Sequence, residues 1–135
     1  MFVVLFASLV PGVFEELLFR GFALSGLLRR WRPGIAITAT AIAFAAAHGD
    51  PMRMAAILPL GIWLGWVAVR TGSVIPGIIC HTLNNLVLTI VARSGMDAGD
   101  LGTAQPSLVA AAIGFVLVWA AVTGLRSATG TPPRE

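Results

Sequence analysis

The feature that most constrains this chain is the alternation of long apolar stretches with short connections in which arginine is the main charged residue. Apolar runs cover residues 2–28, 34–48, 54–69, 74–92 and 108–125. Runs of roughly 20 apolar residues are the unit a bilayer demands of a helix. With no water to satisfy backbone groups in lipid, such runs must be helical. The expected fold is therefore all-α, a polytopic transmembrane helical bundle of about five spans. Residues 1–126 form its one domain, with the informative core at 11–91, and residues 127–135 make a short disordered tail.

Composition agrees with a chain solvated by lipid. Apolar residues are 57% of the 135 positions and charged residues only 11%, where a soluble domain carries about a quarter. All nine basic residues are arginine. Their only cluster is Arg29, Arg30 and Arg32, too small for a nucleic-acid footprint, so nucleic acid is not an expected partner. The single Cys80 excludes an intrachain disulfide framework and a four-cysteine zinc site. The apolar start at Phe2 has no basic region before it, unlike a signal peptide, and running straight into charged residues it is what one half of a longer protein would show.

Arginine also gives an orientation. Arg29, Arg30, Arg32, Arg70, Arg126 and Arg134 fall on one side of the bundle, with Arg53 and Arg93 on the other. The positive-inside rule makes the first side cytoplasmic, which puts the C-terminus in the cytoplasm; the expected location is the plasma membrane. Several spans carry breakers: Pro11-Gly12 one turn before an acidic pair, Pro59 breaking the third span, and Pro76-Gly77 opening the fourth. Gly61 and Gly65 form a small-xxx-small pair that lets another helix approach closely.

Against this background the polar residues inside the spans stand out. A charged side chain at mid-bilayer costs at least ~2.5–3.5 kcal/mol on the lenient insertion scale, yet the first span holds Glu15, Glu16 and Arg20. The plain alternative is a short span followed by an interfacial helix that leaves these charges solvated. Glu16 and Arg20 share a helix face with the acid N-terminal to the base, the favourable order. Glu15 sits about 100° around and is free to point elsewhere. The simplest division of labour is one structural acid and one free acid. The second span ends in Phe44 and His48, one turn apart, where a histidine can also simply reach the interface. In the fourth span His81 and Asn85 are an i, i+4 pair, which an interhelical hydrogen bond alone would explain. Asn84 lies off that face and is expected to bond a neighbouring helix, and Cys80 to be a small buried residue. Both histidines and the acids that lie within a span thus come from three different helices. A bundle can gather them into a set able to activate water and hold an oxyanion.

These residues resemble a known family. Glu15-Glu16-Leu17-Leu18-Phe19-Arg20 matches EExxxR, Phe44 to His48 matches FxxxH, and His81 to Asn85 matches HxxxN. In that order on separate apolar segments, they are the motifs of the CAAX prenyl endopeptidase and bacteriocin-processing (CPBP, or Abi) family of intramembrane proteases. The resemblance covers residues 11–91. It implies an intramembrane endopeptidase in which Glu15 is the general base and His48 helps it hold the attacking water. His81 and Asn85 then stabilise the oxyanion, and Glu16 with Arg20 orders the site. A carboxylate already held by a guanidinium is the poorer base, which agrees with assigning that role to Glu15.

Metal dependence is open at this level. Glu15, His48 and His81 would supply a two-histidine, one-carboxylate zinc set, but there is no HExxH, and metal-free activation of water by Glu15 is the preferred form. Two other functions compete: a non-catalytic immunity or regulatory membrane protein, and an ion or proton pathway. Retention of all motif residues argues against the first. The fifth run, polar only at Thr123 near its end, argues against the second. The expected partners are the bilayer and a membrane-associated peptide or protein substrate. Family members commonly have helices before the EExxxR span, whereas fourteen residues precede Glu15 here, so additional helices or an oligomeric partner would complete the wall. The span ending at His48 has about fifteen residues, ~22 Å at ~1.5 Å each, short of a full crossing. Local thinning, or a buried break at Gly49-Asp50-Pro51, is then needed to bring His48 to the depth of Glu15.

Overall fold

A computed structural model of the chain describes residues 2–93. The fifth apolar run, the loop before it, the tail and Arg126 and Arg134 lie outside the described residues. Four helices result: α1, Phe2–Leu27; α2, Pro33–Ala46; α3, Pro51–Thr71; and α4, Ile75–Arg93. No strand occurs among the described residues. By length and composition α1 and α3 are long and apolar enough to cross a membrane. The 14-residue α2 reaches only about 21 Å at ~1.5 Å per residue. The count of about five spans thus corresponds here to two long and two shorter apolar helices, with the fifth run not described.

Local chemistry sets the ends. Pro33 and Pro51 occupy first helical positions, where a missing N–H is harmless. The Asp50 carboxylate caps α3 by accepting from the backbone N–H of Met52 (2.8 Å) and, more weakly, of Arg53 (3.4 Å). Gly72, at φ 65°, closes α3 in the left-handed conformation, its N–H donating to the Ala68 carbonyl. Gly49, at φ 72°, turns the chain between α2 and α3. That turn is exposed, so the buried break expected at Gly49-Asp50-Pro51 does not form. A polar cap needs water or headgroups, and Asp50 finds them at the surface.

The expected break at Pro59 is also absent, since α3 runs through it unbroken. The irregularity lies in α1 instead, where residues Leu17–Leu24 are wound as a π-helix directly after Glu16. At its end the Ser25 hydroxyl donates to the Gly21 and Phe22 carbonyls, taking up acceptors where the winding changes back.

The helices pack as two antiparallel pairs, α1 with α4 and α2 with α3, joined through the π-helical segment. In the second pair, a Cβ on Gly61 would lie 3.2 Å from Ala41 Cβ and Phe44 Cδ1, and one on Gly65 3.1 Å from Ile37 Cγ2. The small-xxx-small pair therefore serves an intramolecular contact, as its spacing allowed. The apolar core is small: Leu24, Ala36, Ile37, Ala41, Phe44, Ala45, Leu60, Leu64, Val67 and Cys80. Large apolar side chains of α1 point outward, Phe2 at 89% and Phe22 at 77% exposure, while Glu16 (0%) and Arg20 (3%) are buried. Charge inside and phenylalanine outside is the distribution of a helix meeting lipid.

Candidate active site

The centre of the bundle is built on Glu16. One of its oxygens, Oε1, accepts from Arg20 Nη1 at 2.7 Å and from His81 Nδ1 at 3.0 Å. Arg20 is tied a second time, its Nη2 donating to the Gly61 carbonyl at 3.0 Å, so the guanidinium joins α1 to α3. A desolvated arginine between a carboxylate and a backbone carbonyl is compensated on two sides, the condition for burying it without a large penalty. Its carbon centre also sits 4.4 Å from the centroid of the Phe44 ring.

His81, 3% exposed, stands between both glutamates. Its Nδ1 faces Glu16, and its Nε2 lies 3.7 Å from Glu15 Oε2. A carboxylate only accepts, so Nδ1 carries the proton on the Glu16 side. The other nitrogen faces Glu15 across a gap too long for a direct hydrogen bond. The sequence reading had Glu15 free to turn away from Glu16; instead the two adjacent acids approach different nitrogens of one ring. The division into a structural and a freer acid is nevertheless what is seen. Glu16 is fully enclosed, whereas the Glu15 side chain is 32% exposed and makes no hydrogen bond among the described residues.

Phe44 organises the other side. Its ring packs edge-on against Phe19, His48 and His81, with centroids 5.2, 5.2 and 5.6 Å apart. His48 is half-buried, and its ring nitrogen Nδ1 lies 3.0 Å from the Phe44 carbonyl one turn back. A carbonyl can only accept, so Nδ1 is the protonated nitrogen and Nε2 of the neutral ring is an open acceptor. No hydrogen bond or ion pair links His48 to Glu15, Glu16 or His81 among the described residues; the phenylalanine ring stands between. The Asn85 side chain, one turn beyond His81, is half-buried and unbonded among the described residues. Among the described residues Asn84 does not bond a neighbouring helix as expected: it is buried with Oδ1 unpartnered. Cys80 is the small buried residue anticipated, packed with Leu60 and Leu64.

Among the described residues no three His, Cys, Asp or Glu side chains form a group that could hold a metal ion. The two glutamates address different atoms of His81, and the His48 ring is held against Phe44. The zinc set of Glu15, His48 and His81 is not assembled in this arrangement.

One comparison with known proteins bears on this cluster. The family model described as type II CAAX prenyl endopeptidase Rce1-like matches residues 1–87, a stretch that includes all seven motif residues from Glu15 to Asn85. The chain belongs to this family. No curated protein and no solved structure matches it. Membership in the Rce1-like family makes the chain a membrane protein of the CAAX-protease type, intramembrane endopeptidases in general.

In this Rce1-like chain two glycines that the sequence marks only as breakers, and one backbone atom, belong to the site. Gly12 and Gly77 face the partner helix across the α1–α4 seam, Gly12 against Thr82 and Gly77 against Glu16, and the Gly61 carbonyl receives Arg20. A signal for the first two existed. Gly12 lies four residues before Glu16 and Gly77 four before His81, each on the same helix face as the polar group.

Proposed function

We propose that the chain is an intramembrane endopeptidase that hydrolyses a peptide bond in a hydrophobic or membrane-associated peptide, with Glu15 as the base that activates water. The observation that carries this reading is the meeting of Glu15, Glu16 and Arg20 with His81 in one polar cluster inside an otherwise apolar bundle, with Glu15 alone of the three α1 residues partly accessible.

In this mechanism Glu15 takes one proton from water, and the open Nε2 of His48 accepts a hydrogen bond from the O–H that remains. The hydroxide oxygen bonds to the scissile carbonyl carbon. The resulting oxyanion is held by donation from the Asn85 amide and, with the ring protonated at both nitrogens, from His81 Nε2–H, while Nδ1–H stays on Glu16. Glu15 then passes its proton to the leaving nitrogen, the C–N bond breaks, and a carboxylate and an amine leave. Glu16, fixed by Arg20, holds the His81 ring in place. Closing on a substrate brings His48 and Asn85 to the reacting atoms, since catalytic hydrogen bonds commonly tighten only in the substrate complex.

The architecture proposed with it is a five-span domain over residues 1–126 in the plasma membrane, C-terminus in the cytoplasm. The test is cleavage of a hydrophobic peptide library by protein purified into liposomes. Wild type should cleave, Glu15→Gln should not, and chelator should leave the wild type active. Loss of activity with chelator would move the mechanism to a metal. Equal cleavage by Glu15→Gln would remove Glu15 as base.

A further inference from the structure

A buried carboxylate oxygen facing bare backbone marks a residue the three motifs do not contain. Glu16 is fully enclosed, and its Oε1 is shared by Arg20 and His81, but its second oxygen, Oε2, has no hydrogen-bond partner among the described residues. That oxygen lies against Gly77. A Cβ built on Gly77 would sit 2.7 Å from Oε2 and 3.5 Å from the carboxyl carbon, closer than the ~3.5–4.0 Å at which nonbonded heavy atoms are comfortable. Any side chain at position 77 therefore displaces the Glu16 carboxylate.

Gly77 falls in the first turn of α4, the positive end of that helix's dipole. An unpaired carboxylate oxygen is better placed there than anywhere else along a helix in lipid. Gly77 also lies one turn before His81 on the same helix, so one face of α4 provides both the seat for the carboxylate and the imidazole that it holds. From Gly77 the chain of contact runs to Glu16, to His81 Nδ1 and, on the far side of that ring, to Glu15.

We propose that Gly77 is a positioning residue: its missing side chain is the seat of the Glu16 carboxylate, and through it sets where His81 points. This rests on the protease reading for its catalytic consequence, but not for the seat itself. Gly77→Ala should lower kcat about 10²-fold, the scale of a ~1 Å misplacement, with KM changed less than about threefold. It should also shift the ¹⁵N resonance of His81 Nδ1, which a loss of packing elsewhere would leave alone. Gly26→Ala is the control: a Cβ there meets nothing within 4 Å, and both readouts should stay at wild type.

The decisive variant shortens the acid. Glu16→Asp alone should lose activity, because the carboxylate no longer reaches. Glu16→Asp with Gly77→Ala should be at least tenfold better than the product of the two single effects, since the shorter acid makes room for the methyl group. A Gly77→Ala protein with unchanged kcat, or a double variant no better than that product, overturns the proposal. If no peptide is cleaved by the wild type, the protease reading fails and melting temperature in detergent decides the seat. The double variant must then melt higher than the two single shifts add to, and additive shifts overturn it.

Discussion

The two helix pairs use the same device for opposite ends. In the α2–α3 seam, Gly61 and Gly65 bring backbones together so that Ala41, Ile37 and Phe44 fill the space with carbon. In the α1–α4 seam, Gly12 and Gly77 bring backbones together so that the Thr82 hydroxyl and the Glu16 carboxylate fill it with oxygen. Glycine makes close approach possible in both; what enters decides whether a seam is scaffold or chemistry. The seams meet where Arg20 reaches the Gly61 carbonyl, where the Phe44 ring packs on Phe19, Arg20 and His81, and where Cys80 packs on Leu60 and Leu64. A scaffold seam should respond to volume. A chemical seam should respond to charge and to single atoms.

The sharpest separation is expected at Glu15. Glu15→Gln should reduce cleavage by about 10²–10⁴-fold, the contribution of a positioned general base, while unfolding in detergent changes by no more than about 0.5 kcal/mol, as for a group outside any hydrogen bond. A variant that melts early instead would make Glu15 part of the framework and erase the contrast. Glu16→Ala is next. It leaves Arg20 buried without its carboxylate and should destabilise by about 3–5 kcal/mol, read as a fall in melting temperature with loss of folded protein. A normally stable Glu16→Ala protein would mean that the guanidinium finds water, and the seam is wetter than its burial implies.

How much of this was legible follows the same division. The apolar periodicity gave four of the helices, because burial in lipid leaves a composition signal that no turn or cap can hide. The Glu16–Arg20 pair was legible from spacing and from the penalty on a lone charge. The approach of both glutamates to one imidazole was not, because adjacent helical residues diverge by about 100° and only the position of α4 decides what stands between them. The π-helical winding over Leu17–Leu24 was hidden too, since nothing in Leu-Leu-Phe-Arg-Gly-Phe-Ala-Leu distinguishes it from an α-helix. Of the prolines, Pro76 does stand at the start of α4 as expected, whereas Pro59 pointed to the wrong place: α3 absorbs it without ending. His48 is a candidate by its motif, but the ring of Phe44 beside it could not be placed from one helix alone.

Two smaller effects belong to the scaffold side. Gly65→Val should overpack the contact with Ile37 and destabilise by about 1–3 kcal/mol, with cleavage per folded molecule unchanged. A specific loss of kcat would show that the α2–α3 seam transmits to the site. Phe44→Leu should be the milder of these two in stability, about 0.5–2 kcal/mol for the cation–π contact with Arg20, and its signature should be a raised KM or lowered kcat through His48, whose ring loses its support. Activity equal to wild type would show that the ring merely fills space.

The double anchoring of Arg20, to Glu16 within α1 and to the Gly61 carbonyl across the bundle, has a consequence for reading related sequences. Any descendant that abandoned hydrolysis would still need this pair to hold its helices together, so their persistence testifies to architecture and is silent about turnover. On the mechanism proposed above, Glu15, which makes no hydrogen bond among the described residues, is the letter whose loss would announce an enzyme that has become a fossil.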